Sequence, residues 1–219
     1  MKKKKIEEIF LSWPNFYITS REIRYLLDRS PEDVHVIVSR ALKKQSLTRV
    51  KNGLYIINPP YRKKEVSKFE LAQNIYTPSF ISLESSLSYH NWIPEAVYAT
   101  TSVATKRAKH FETPLGNFRF YHVPSKHFLM NVKRVVNESS VFLLAEPWRA
   151  LADYIYVHQK KWQNLQELEE DMRIEKESLL KSNFASLNQL HKHYPKSHVR
   201  KILLGLFLEL KQEKSTPKI

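Results

Sequence analysis

Thr48-Arg49-Val50-Lys51-Asn52-Gly53-Leu54-Tyr55-Ile56-Ile57 reads as two strands joined at Asn52-Gly53, the strongest short-range signal for a β-hairpin. A type I′ turn, with φ > 0 at both Asn52 and Gly53, is the expected geometry. What stands upstream decides how the hairpin is read. Three helical segments precede it, and a hairpin directly after a third helix is the wing of a winged helix-turn-helix.

Ile6, Ile9, Phe10 and Trp13 recur at i, i+3, i+4 and i+7, which predicts a first helix over about 2–13, with Lys2–Lys5, Glu7 and Glu8 outside and Pro14-Asn15 ending it. Thr19-Ser20-Arg21-Glu22 is a capping box that opens a second helix over roughly 20–28, with Ile23, Leu26 and Leu27 on one face. Ser30-Pro31-Glu32-Asp33 repeats the signature, with proline at the first helical position, and opens a third helix over about 31–45.

On a wheel of ~100° per residue, Val34, Ile37, Val38, Ala41 and Leu42 of that helix share the inner face. Val36, Ser39, Arg40 and Lys43 fall opposite, with Glu32 beside them. Arginine, lysine and serine supply the donors that bind guanine edges and phosphates, and valine can touch a thymine methyl. Lys44 at the helix end and Arg49, Lys51 and Asn52 on the hairpin complete a predicted DNA-binding set. Asn58-Pro59-Pro60-Tyr61-Arg62-Lys63-Lys64 then reads as a stiff basic linker.

Composition agrees with a polyanionic partner. The 219 residues carry 36 Lys and Arg against 22 Asp and Glu, a formal charge of +14. Residues 1–66 alone hold 15 of those basic side chains and 7 acidic ones. A balance this far from zero bears on partners, nucleic acid above all, and not on fold. The length suits one large domain or two modest ones, and 42% hydrophobic content excludes a disordered chain.

Zero cysteines exclude disulfides, thiolate metal sites and cysteine nucleophiles and fit a reducing cytoplasm, the expected location. No apolar run approaches the ~20 residues that cross a bilayer. Glu7 and Glu8 interrupt the start where a signal peptide needs its apolar stretch. Only Gly53, Gly116 and Gly205 are glycines, so neither a P-loop nor a dinucleotide fingerprint can be built. His122 with His127, and His191 with His193 and His198, lack the acidic company and spacing of a helical zinc site. No catalytic constellation appears around Glu84, Ser85, Tyr89 and His90, which read as packing. The expectation is a protein without catalysis, cofactor or metal.

From Ser67 onward the texture is mixed. Val66–Tyr76 and Leu83–Asn91 read as helices and Phe80–Ser82 as a short strand. Ala96–Ala104, Phe118–Val123, Val132–Val136 and Val141–Ala145 alternate, predicting an antiparallel sheet. A helix over Pro147–Lys160 and a helical remainder follow, with breaks near Ser182-Asn183 and Tyr194-Pro195. In the last helix Val199, Ile202, Leu203, Leu206, Phe207 and Leu210 make an apolar stripe that reads as core. The fold class is therefore α+β: a winged helix-turn-helix over 1–60, a basic linker over 61–66, and a larger domain over 67–219 with an antiparallel sheet and a helical C-terminal part. Lys106-Arg107-Ala108-Lys109-His110 is a dense basic turn between strands, and with Arg119, Lys133 and Arg134 it predicts a second basic surface able to engage phosphates.

The run from Tyr76-Thr-Pro-Ser-Phe-Ile-Ser-Leu-Glu-Ser-Ser-Leu-Ser-Tyr-His-Asn-Trp-Ile-Pro-Glu to Lys106, then Phe111-Glu-Thr-Pro-Leu-Gly-Asn-Phe-Arg-Phe-Tyr-His122, resembles the AbiEi family of antitoxins and transcriptional regulators from abortive-infection toxin–antitoxin pairs. Ala145-Glu-Pro-Trp-Arg-Ala-Leu-Ala-Asp-Tyr154 looks like its continuation, and Ser39–Lys44 with Gly53-Leu54-Tyr55 is similar to its winged-helix part. The resemblance implies a protein that binds inverted repeats in its own operon promoter, represses it, and neutralises a nucleotidyltransferase-like toxin without needing to bind it tightly. Operators of this kind are two-fold or tandem, so a free monomer or protomers paired on DNA are expected. The alternative is an interaction protein that captures its toxin directly and binds DNA only non-specifically.

Overall fold

The computed structural model describes residues 5–138 and 140–215; Lys2–Lys4, expected on the outside of the first helix, lie outside them. The N-terminal part runs α1 (Ile6–Ser12), β1 (Tyr17–Thr19), α2 (Ser20–Leu27), α3 (Pro31–Lys43), β2 (Leu47–Lys51) and β3 (Leu54–Ile57). The capping signatures act as expected. Thr19 Oγ1 accepts from the Glu22 amide at 3.2 Å while Glu22 Oε2 accepts from the Thr19 amide at 2.7 Å, and Ser30 caps α3 through the Asp33 amide at 3.2 Å.

β1, which three residues are too few to announce by alternation, completes an antiparallel sheet in the order β1-β3-β2. The turn between β2 and β3 departs from the type I′ expectation. Only Gly53 has positive φ (78°), and the register shifts between Arg49 and Lys51. A bulge of this kind bends the strand and increases its twist. The turn is held against α2, whose Ser20 amide donates to the Gly53 carbonyl at 3.0 Å.

Both faces of this small sheet are buried. Ile18, Leu47, Tyr55 and Ile57 pack with α1, α2 and α3 around Phe10, Ile23, Val34 and Val38. Val50, Leu54 and Ile56, with Phe16, pack on the other side against Leu71, Ala72 and Ile75 of α4 (Lys68–Ile75). Because side chains alternate along a strand, β3 feeds the two cores in turn, Leu54 and Ile56 to one, Tyr55 and Ile57 to the other.

Beyond α4 the chain forms β4 (Ser79–Ile81), α5 (Leu83–Tyr89), β5 (Ala99–Ala104), β6 (Lys109–Thr113), β7 (Gly116–His122), β8 (Val132–Val136) and β9 (Val141–Ala145). The large sheet has the order β6-β7-β5-β4-β9-β8. It is mixed, not antiparallel as expected: β5 pairs parallel with β7, and β4 with β9. For β5 and β7 the reason is β6, which begins at Lys109 inside the predicted basic turn. It is an outer strand whose hairpin folds β7 back between itself and β5.

One sheet face, with Ile81, Phe118, Phe120, Phe142 and Leu144, meets α4 and the small sheet. The other lies under α5 and α6 (Pro147–His158), followed by α7 (Leu165–Met172), α8 (Lys176–Lys181), α9 (Phe184–His193) and α10 (Ser197–Ser215). The apolar stripe of α10 is core: Val199, Leu203, Leu206 and Leu210 are buried. Beneath α6 a buried ion pair links Arg149 Nε to Asp153 Oδ1 at 3.0 Å. Asp153 also accepts from Ser82 Oγ at 2.8 Å and the Tyr194 hydroxyl at 2.9 Å. Arg149 donates to the carbonyls of His127 and Met130 at 3.2 and 2.8 Å. No helix among the described residues is long and apolar enough to cross a membrane.

Candidate nucleic-acid interface

Helix α3 presents the outward face that its periodicity predicts. Val34, Val38 and Ala41 are buried, whereas Val36, Arg40, Lys43 and Lys44 are exposed and Ser39 half-buried. The outward residues fan over two flanks. Arg40 and Lys44 line a groove against α1 with Arg29 and Glu7, and Lys44 Nζ stands 3.8 Å from Glu7 Oε1. An exposed pair this long is worth roughly 0–1 kcal/mol, so it leaves Lys44 available. Ser39 lines a second groove, between α2, α3 and the hairpin, together with Arg49. Arg21, Arg24 and His35 line it too. The apolar periodicity of α2 and α3 does not single these three out, because what joins them is the groove between the two helices and the hairpin.

The hairpin residues part company. Arg49 and Asn52 are exposed. Lys51 is on the sheet face turned to α4, half-buried, and its ammonium donates to the Ile75 carbonyl. Burial, then the charges of Lys109 and Lys106, hold its pKa below the ordinary lysine value. Lys51 therefore belongs with the β6 lysines more than with α3. The Lys106 ammonium stands 5.7 Å from the Tyr76 ring centre and that of Lys109 5.0 Å from Phe111, and the two rings are 6.1 Å apart. The Tyr76 hydroxyl donates to the Arg107 carbonyl at 3.0 Å, fastening the basic loop to α4. None of the three lysines forms an ion pair among the described residues.

The six residues predicted as one second basic surface do not form one. Lys106, Arg107 and Lys109 stay together beside the hairpin. Arg119 pairs across from His110 on the opposite sheet face and lines a cleft with Glu84, Tyr121 and Tyr154. Lys133 and Arg134 lie on β8, the far edge. Five strand spacings of ~4.8 Å put that edge on the order of 24 Å from β6. Lys133 is moreover paired with Glu146 at 2.6 Å. Alternation along the chain could not reveal this, because strand order is a long-range property.

Glu84 was read as packing, yet its carboxylate borders the cleft, 3.3 Å from His158 Nε2. Ser85 and Ser86 do pack, the former bonding Thr101 at 2.8 Å and the latter the Ala145 carbonyl at 2.7 Å. Among the described residues no group of three or more His, Cys, Asp or Glu side chains is placed to hold a metal. The basic face can bind anions through its ammonium groups, which the Tyr76 and Phe111 rings hold in place. A scan against protein-family models finds no match to this chain, and a search of curated proteins finds none either.

Proposed function

We propose that the chain is a DNA-binding repressor, with residues 1–60 as a winged helix-turn-helix and α3 as its recognition helix. The observation that supports this best is the element order helix–strand–helix–helix–strand–strand with an exposed α3 face bearing Val36, Arg40 and Lys43. In this reading α3 enters the major groove, and Arg49 and Asn52 meet the flanking backbone. Lys106 and Lys109, with Lys51 behind them, extend phosphate contact beyond the hairpin. Residues 67–219 form the second unit. By its resemblance to the AbiEi family, the protein acts in the cytoplasm as the antitoxin of a nucleotidyltransferase-like toxin, repressing their shared operon without catalysis of its own.

The test is an anisotropy titration of the full chain on DNA from upstream of its gene, against scrambled DNA, across a salt series. Nanomolar preference for the upstream fragment with a steep salt slope supports the repressor. Equal, weak binding to both DNAs overturns it and leaves direct toxin capture, which a stable complex at moderate salt, purified from the operon, identifies. Co-expression with the toxin gene tests the antitoxin half separately.

A further inference from the structure

The groove between α2, α3 and the hairpin is built from pairs of side chains. Arg21 and Arg24 stand three apart on α2, and His35 and Ser39 four apart on α3, spacings that put each pair on one helix face. Arg49 and Tyr55 are partners across β2 and β3, so both side chains leave the same side of the small sheet. Together they border a space of about 400 Å³. Arg40 and Lys44 line the other flank of α3, toward α1.

No carboxylate lines this groove among the described residues. Arg21, Arg24 and Arg49 are exposed, and none of them forms an ion pair or a side-chain hydrogen bond among the described residues. Glu32 feels the Arg24 charge through space, without an ion pair. A second sign of a ligand comes from the floor. Tyr55 is 6% exposed, with its ring in the core under α3, and its hydroxyl accepts from Ser20 Oγ at 3.4 Å. The Tyr55 hydroxyl proton has no acceptor among the described residues. The hydroxyl of half-buried Ser39 is equally unengaged there. A polar hydrogen held at a buried residue is costly until an acceptor reaches it, and an anionic oxygen is the strongest acceptor. Three guanidinium forks and two open hydroxyls supply more donors than one carboxylate takes, and the planar forks match phosphate oxygens in bidentate pairs.

We propose that this groove is a phosphate seat, with Arg21, Arg24 and Arg49 around the anion and the Tyr55 and Ser39 hydroxyls donating to its oxygens. Two sources present that group. One is the backbone of a duplex lying along α3, which rests on the repressor reading and adds α2 to its contacts. The other is a free phosphorylated small molecule, which does not rest on that reading.

The experiment pairs two titrations of the full chain: anisotropy on upstream and scrambled duplexes across a salt series, and calorimetry with inorganic phosphate. Tyr55→Phe keeps the ring in the core and removes only the hydroxyl. Arg21→Gln with Arg24→Gln removes charge from an exposed face. With a duplex as the source, the arginine pair lowers the log–log salt slope by about 2 on both DNAs. Tyr55→Phe then weakens duplex binding about tenfold at unchanged slope, the scale of one hydrogen bond to a charged group. With a free phosphate as the source, inorganic phosphate binds the unmodified chain saturably and both variants more weakly, while the duplex slope stays put. A loss with the arginine pair that Tyr55→Phe does not share in either titration reveals diffuse charge and overturns the seat, as does no change at all. The repressor stands or falls separately: operator preference with both variants silent keeps it and sinks the seat, whereas equal binding to both DNAs with both variants active does the reverse.

Discussion

The β6–β7 end of the large sheet carries opposite chemistry on its two faces. On one, Lys51, Lys106 and Lys109 gather around Tyr76 and Phe111 with no acidic partner among the described residues. On the other, Arg119 looks into a cleft where carboxylates stand in pairs with lysine, arginine or histidine. Uncompensated charge acts at a distance and is sensitive to salt, whereas charge already paired acts only on a ligand that fits. The two faces share strands and still differ in kind: one carries lysines without acidic partners among the described residues, the other carboxylates already paired. Net charge alone would have merged them.

The strongest way to break this comparison is through what braces the cleft face from below. Asp153→Ala leaves Arg149 buried without its partner and strips Ser82 and Tyr194 of an acceptor. Loss of one partner of a buried pair costs about 3–5 kcal/mol, to be read from urea denaturation, and a loss below about 1 kcal/mol would show that α6 stands without it. Next come the two kinds of basic residue. Arg40→Ala or Lys43→Ala costs about 1–3 kcal/mol on the operator if that side chain meets a base, with little effect on scrambled DNA. Lys106→Gln with Lys109→Gln weakens binding to every sequence alike and lowers the log–log salt slope by about 2. The reverse assignment of these two phenotypes would move the recognition surface to the β6 loop.

Smaller effects sharpen the local picture. Thr19→Ala removes the α2 cap for about 1 kcal/mol of stability, measured by thermal unfolding. The pH response is the slightest. Burial holds the His90 pKa below the ordinary histidine value, against the opposing hydrogen bond to the Ala145 carbonyl and the nearby Glu146, with Lys133 adding to the depression. The native state therefore takes up its proton at lower pH than the unfolded chain, and stability falls as pH drops below the ordinary histidine value of about 6.5. His90→Gln should flatten that part of the denaturation profile. An unchanged slope would assign it to other groups.

Local chemistry was legible in the sequence. Thr19 and Ser30 begin their helices as their spacing to Glu22 and Asp33 predicts, and the α3 wheel separates Val34 and Val38 from Val36 and Lys43. What escaped depends on who meets whom across the chain. β1 is visible only through its partner β3, and the burial of Lys51 only through Ile75. The dispersal of Arg119, Lys133 and Arg134 follows from strand order, and the cleft at Glu84 needs His158, 74 positions away, to be recognised at all.

β3 has a mechanical consequence. Its four residues are all buried, given by turns to the core under α3 and to the core above α4. The basic stretch at Arg62–Lys64 is thus a tether across a joint that is already closed, not the axis of a hinge. A protease that cuts there yields two pieces that remain clasped through Leu54, Ile56 and Phe16. The angle between α3 and the β6 lysines is accordingly built in, and on the proposed DNA-binding reading a duplex held by α3 would meet Lys106 and Lys109 at an angle the protein dictates.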